Sequence, residues 1–180
     1  MPQSPLDVPT LSGPRVTLRP PRAGESDLMA EAIAADPVAG PRWSTSPATM
    51  RRWLAEEELN LLVVEFEGDL VGIMDFEEVL EPEYHSAGMD IGLLECCIGK
   101  GLGTEALQVL GAWLVDVRGH HRLTIDPAAD NARAIRAYEK IGYRPIGVAR
   151  CYERGPDGVW HDNLLMDMLA NELVRLDSVG

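Results

Sequence analysis

Gly99-Lys100-Gly101-Leu102-Gly103-Thr104 stands between a β-rich run and a helical run. Three glycines at alternate positions leave backbone N–H groups uncovered where a helix begins. Such a helix start is an anion site, and a diphosphate is a natural biological anion for it. The loop is not a Walker A sequence, which requires GxxxxGK[ST]. Ala106 lets Gly101-x-Gly103 match the relaxed dinucleotide pattern GxGxxA. That pattern opens a parallel βαβ unit, whereas the runs before this loop read as an antiparallel hairpin. Taken alone, the loop is equally a plain glycine-rich turn.

Working outward from the loop, Leu107, Leu110 and Leu114 share one face of a helix over 105–117. A short strand at 121–125 ends at Asp126-Pro127. Asp130 caps a helix that Gly142 stops near Ile141. Two β runs, 143–153 and 159–168, flank the turn Gly155-Pro156-Asp157-Gly158, and the tail forms a short helix. Upstream, Val16 to Pro20 is a β run and 24–36 a helix with Pro37 beyond its end. Ser46-Pro47 starts a second helix, to about Glu58. Gly68-Asp69 joins strands 61–67 and 70–78, and a further strand at 87–94 contains Gly88 and Gly92. The order β-α-α-β-β-β-α-β-α-β-β predicts a mixed α/β fold. Residues 1–14 read as a flexible lead-in, 15–170 as one domain and 171–180 as a tail.

The chain has 180 residues, 16 basic and 29 acidic, for a net charge of −13. That balance argues against a general nucleic-acid binder and against docking on anionic membranes. It permits a cationic partner. Cys96, Cys97 and Cys151 show no zinc spacing, so no metal is expected. The first residues, Met1-Pro2-Gln3-Ser4-Pro5, lack the basic start and apolar stretch of a signal peptide, and a cytoplasmic location is expected.

A second stretch complements the first. Asp126-Pro127-Ala128-Ala129-Asp130-Asn131-Ala132-Arg133-Ala134-Ile135-Arg136-Ala137-Tyr138-Glu139-Lys140-Ile141-Gly142-Tyr143 follows at a defined distance. Together, the G-x-G loop and N-x-R-A-I-R-x-Y-E-K-x-G-Y resemble the GNAT superfamily of acetyl-CoA-dependent N-acetyltransferases. The resemblance covers about 15–170. It implies a twisted mixed sheet splayed at its centre, with helices on both faces. A bulge in the 87–94 strand, at Gly88 and Gly92, would receive the pantetheine arm.

The resemblance also implies roles. Gly99, Lys100, Gly101, Leu102, Gly103 and Thr104 would hold the pyrophosphate of acetyl-CoA through backbone amides. Ile98 stands where many members carry Gln or Arg. Ile91, Gly92 and Leu93 would line the arm, with Asn131 and Ala134 on its other side. Tyr138 would protonate the departing thiolate, or else simply fill the helix–sheet interface.

Acetyl transfer needs a neutral amine, hence a base. Asp90, in the apolar strand Met89-Asp90-Ile91, is the first candidate, because an unpaired buried carboxylate is costly. Asp126 is the second and Asp75 the third. Gly88-Met89-Asp90 and Thr124-Ile125-Asp126-Pro127 resemble the aminoglycoside 6'-N-acetyltransferase branch. There such segments supply carboxylates to a cationic acceptor. Asp75, Glu77, Asp90, Asp126 and Trp43 would then form the acceptor site, with Glu77 and Glu78 otherwise solvated. Asp157 to Asp162 also resembles ribosomal-protein N-terminal acetyltransferases. A non-catalytic acyl-CoA-binding regulator is a third reading, and the chain is expected to be a monomer or homodimer. His161 reads as ordering the last hairpin, and His120 and His121 as surface residues.

Overall fold

The computed structural model describes residues 8–43, 46–54 and 60–176. Eight strands form one sheet in the order β1-β2-β3-β4-β5-β6-β8-β7. They are β1 (Leu11–Ser12), β2 (Val16–Arg19), β3 (Leu62–Phe66), β4 (Asp69–Val79), β5 (Ser86–Leu93), β6 (Arg122–Ile125), β7 (Arg144–Arg154) and β8 (Trp160–Leu169). The helices are α1 (Glu25–Ala35), α2 (Ala39–Arg42), α3 (Pro47–Leu54), α4 (Leu102–Asp116) and α5 (Ala132–Ile141).

Strand alternation sorts the core into two layers. Leu62, Val64, Met74 and Phe76 face α4 and α5, with Leu107, Leu110 and Leu114. Val63 and Ile73 face the other way, against Met29 and Ile33 of α1 and Met50 and Leu54 of α3. One hydrophobic layer on each face is the physical reason for helices on both sides of the sheet.

The only parallel pairing among the described residues is β5 with β6. It spans just two registers, Ala87↔Leu123 and Gly88↔Thr124. Beyond Gly88 the partners part: β5 stays with β4, and β6 pairs with β8. The sheet is therefore splayed at its centre.

Several expectations are corrected. The bulge foreseen at Gly88 and Gly92 is absent from the β4–β5 ladder, which runs unbroken from Gly72↔Leu93 to Val79↔Ser86. Loss of the β5–β6 pairing opens the sheet instead. The expected lead-in contains a strand, since Leu11 and Ser12 pair with Leu18 and Thr17 and Val8 is buried. Helix α5 is capped by Asn131, not Asp130, because Asn131 Oδ1 accepts from Ala134 N at 3.3 Å. The short α2 had no periodic signal in the sequence. The far end of the expected 47–58 helix lies outside the described residues.

Candidate active site

Where β5 and β6 diverge, a cleft of about 1350 Å³ opens. Ligand pockets typically span roughly 300–1000 Å³, so this cleft is larger than a usual single-ligand pocket. Its floor is the far half of β5, from Asp90 to Leu93, and its end wall is the glycine loop.

The loop is built as an anion cradle. Gly99 and Gly101 both have φ of 80°, in the left-handed region that glycine adopts without strain. Gly101 also caps α4. The first N–H groups of a helix have no intrahelical acceptor, and here they adjoin the cleft at Gly101, Leu102, Gly103 and Thr104. A Cβ on Gly99 would meet nothing within 4 Å, so the cradle is open above it. These features fit the diphosphate of CoA. Ile98 borders the cleft as well, whereas Lys100 is exposed and its carbonyl accepts from Arg15.

The opposite wall carries a basic row that the sequence reading did not single out. Arg133, Arg136 and Lys140 of α5 all face the cleft beside Asn131, Ala134 and Tyr138. Their i, i+3, i+7 spacing was the available signal. This row reconciles an anionic cofactor with a chain of net charge −13.

The acidic residues gather at the other side. Asp75 and Asp90 are directly opposed across β4 and β5. Asp75 is buried, and its Oδ2 has no hydrogen-bond partner among the described residues. Burial, with the charges of Asp90, Glu77 and Asp126 behind it, pushes its carboxyl up to about 7. Asp90 is not the buried, unpaired carboxylate the sequence suggested: it is exposed at the cleft. Its Oδ1 accepts from Ile91 N at 2.7 Å. Desolvation raises its carboxyl to about 6 despite that bond, with Asp126 and Glu153 adding to the rise.

Asp126 is also raised by burial, against hydrogen bonds from Asn163 and Tyr152. Asn163 Nδ2 donates to its backbone oxygen at 2.9 Å and to Oδ2 at 3.4 Å. Tyr138, buried on α5, has its phenol raised by burial and then by the charges of Asp90 and Asp126. Thus Asp90, Asp126 and Tyr138 line one cleft, and Asp75 stands behind Asp90. Glu77 is exposed but does not line the cleft, and Glu153 of β7, not anticipated, joins the acids there.

Trp43 also lines the cleft. Its indole lies over Gly92, where an added Cβ would come within 2.8 Å of the ring. Gly92 therefore serves this stacking rather than a bulge. Cys97 borders the cleft, but burial and its neighbour Cys96 push its thiol up, away from a reactive thiolate.

Two surface expectations fail. His120 is buried, with Nε2 at 2.6 Å from Glu78 Oε1 and its ring stacked on His85. Glu78 is likewise not solvated: its side chain is 4% exposed and takes Arg118 in a two-pronged pair. The turn at Gly119, with φ of 78°, folds His120 back under the sheet end. His121 is exposed as expected, and His161 contacts Asp157 within the last hairpin.

A splayed mixed sheet with a glycine anion loop at the splay defines an acyl-CoA-dependent transferase fold. The acetyltransferase (GNAT) domain matches residues 15–144, well over half of the chain, and the protein belongs to that family. It is an N-acetyltransferase, and its cofactor is acetyl-CoA. A kanamycin resistance protein of Rhizobium radiobacter is 34% identical over 84 residues, which cover 46% of this chain and 72% of that protein. The [ribosomal protein uS5]-alanine N-acetyltransferase of Escherichia coli is 25% identical over 99 residues, covering 55% of this chain and half of that one. Mycobacterium smegmatis RimJ in complex with CoA-disulfide superposes with a TM-score of 0.75 at 24% identity, covering 95% of this chain and 90% of that chain. Among the described residues, no helix is long and apolar enough to cross a membrane.

Proposed function

We propose that the protein acetylates a primary amine of a small polycation, of the aminoglycoside class and at its 6'-amine, by direct attack within a ternary complex. One observation carries this reading. Asp90, Asp126 and Glu153 face a cleft that also holds a buried phenol, and Asp75 stands behind them. Of these, Asp90, whose carboxyl is raised to about 6, is suited to act as a base at physiological pH. The same carboxylates attract several ammonium groups at once. Similarity to a kanamycin resistance protein supports the acceptor class.

Acetyl-CoA, when bound, supplies an activated acetyl thioester. The loop 99–104 holds its diphosphate, and Arg133, Arg136 and Lys140 neutralise its phosphates. Asn131 spends its oxygen on the α5 cap, so its contact with the pantetheine arm runs through Nδ2. Ile91, Gly92, Leu93 and Ala134 line the arm. Asp90 takes the proton from the acceptor ammonium, which leaves a lone pair for attack on the thioester carbonyl. As the C–N bond formed and the C–S bond broke, the Tyr138 hydroxyl would give its proton to the departing sulfur and recover one from the new amide nitrogen, which must lose its second proton. Asp126 and Glu153 bind further ammonium groups, and Trp43 stacks on a sugar ring. A raised Cys97 thiol speaks against a covalent cysteine route.

A second reading, a protein N-terminal acetyltransferase, is favoured by the similarity to the uS5-alanine enzyme. We place the protein in the cytoplasm and its state as monomer or homodimer. The deciding experiment measures thiol release from acetyl-CoA with kanamycin, tobramycin, polyamines and alanine-terminated peptides. Turnover with kanamycin and tobramycin is expected. Turnover with peptides alone would replace the first reading by the second.

A further inference from the structure

Glu105 is a buried acid in the first turn of α4, beside the cradle that is meant to hold an anion. Its side chain is 4% exposed. An acid here suits the helix dipole, but its full negative charge would oppose a diphosphate at the same helix start. The structure answers this with one residue from the other end of the chain. Glu105 Oε1 accepts from the backbone N–H of Arg15 at 2.6 Å and of Val16 at 3.0 Å. Oε2 accepts from Arg15 Nε at 2.7 Å. Arg15 Nη1 then donates to the carbonyl of Lys100 at 2.9 Å, in the glycine loop itself. Its Nη2 lies 3.3 Å from where a Cβ of Gly101 would be. Gly13 completes the fit, because a Cβ there would come within 2.8 Å of Glu105 Oε1.

We propose that Arg15 is a positioning residue for the cofactor: it ties the glycine loop to the start of β2 and cancels the Glu105 charge facing the diphosphate. This rests on reading the loop as the diphosphate seat. Arg15 does not line the cleft; it acts through Glu105 and Lys100 from behind the loop. Every contact joins residues at least 85 positions apart, so local sequence patterns carry no sign of it. The bonds are charge-assisted and reach a buried carboxylate, although the Arg15 side chain itself is 47% exposed. Losing the guanidinium would free the Lys100 carbonyl and leave the Glu105 carboxylate without its counter-charge beside the anion, though still held by the two backbone N–H groups.

Titration calorimetry with CoA and with pantetheine, which lacks the phosphates, tests this without any acceptor. Arg15→Gln should weaken CoA about tenfold or more and leave pantetheine unchanged. Adding Glu105→Gln should recover most of the loss, because it removes the uncancelled charge. Arg15→Lys, which keeps the charge but loses the fork, should fall between wild type and Arg15→Gln. Equal weakening of CoA and pantetheine would overturn the proposal, as would a lower melting temperature with unchanged CoA affinity. Failure of the wild-type protein to bind CoA would overturn the loop reading, and the proposal with it.

Discussion

Asp75 on β4 and Asp90 on β5 stand directly opposite each other in an unbroken antiparallel ladder. Side chains so paired lie roughly 4.5–5.5 Å apart at Cβ. The two acids therefore share one face and cannot both ionise freely. Asp90 reaches the cleft, whereas Asp75 is sealed behind it. This division makes Asp90 the proposed base and Asp75 the group that senses its charge.

Asp90→Asn should lower kcat by about 100-fold or more, the range of a general base. CoA affinity should stay within about twofold of wild type, since the amide keeps the floor of β5 intact. Calorimetry beside steady-state kinetics reads both quantities. An unchanged kcat would remove Asp90 from the mechanism.

The pH profile follows from the same pair. Asp90 titrates near 6 and Asp75 near 7, and the two values belong to the coupled pair. Activity should rise with pH through about 6, as Asp90 loses its proton. Asp75 is still neutral at that point, so Asp75→Asn should leave this limb in place and abolish any step near 7. A limb that disappears in the Asp75 variant would reverse the assignment.

Stability should change as well. The folded-state value of Asp75 lies above its ordinary 3.8, so the native state binds the proton more tightly than the unfolded chain. Its stabilising effect is complete at low pH and is lost as pH rises through about 7. Asp75→Asn should therefore raise the melting temperature at pH 8, reflecting a stability gain of at most about 4.5 kcal/mol at ~1.4 kcal/mol per pH unit. The gain should vanish at pH 4. Equal melting curves at pH 8 would show that the buried carboxyl is compensated.

Tyr138→Phe should lower kcat at every pH between about 6 and 10 without altering the shape of the profile. Burial and the nearby acids push the phenol upward, so it stays protonated through that range. A new alkaline limb in the variant, or full activity, would count against it as the acid.

His120→Ala should destabilise the fold by about 1–3 kcal/mol, because it strips a hydrogen bond from the buried Glu78. Arg118 still holds that carboxylate. Thermal melts should show the loss while kcat and KM remain near wild type, since the cluster sits at the paired end of β5 and β6. A kcat effect would instead connect this end to the cleft.

Much of the architecture was legible locally. The glycine loop, the Asn131–Tyr143 stretch and the period change after Gly103 each carry a short-range rule, and each element appeared where that rule placed it. Asp75 and Asp90 were both candidate acids in the sequence, but only the β4–β5 register sets them opposite each other. The basic row on α5 was equally available, at spacings of three and four. What failed were readings that treated charged or polar residues by habit: Glu78 and His120 were assigned to solvent. Their burial depends on a turn at Gly119 that brings Arg118 and His120 onto the end of β4.

The sequence alone determined the family, the cofactor and the candidate acids, because those depend on residue type at short spacing. Only the tertiary structure decided how the cleft opens and what holds its loop. The opening comes from the end of pairing between β5 and β6 after Gly88, not from a bulge within one strand. The loop is held by Arg15, from the far end of the chain. Both are long-range pairings, and no local propensity or periodicity encodes which distant segment a strand or a carboxylate will meet.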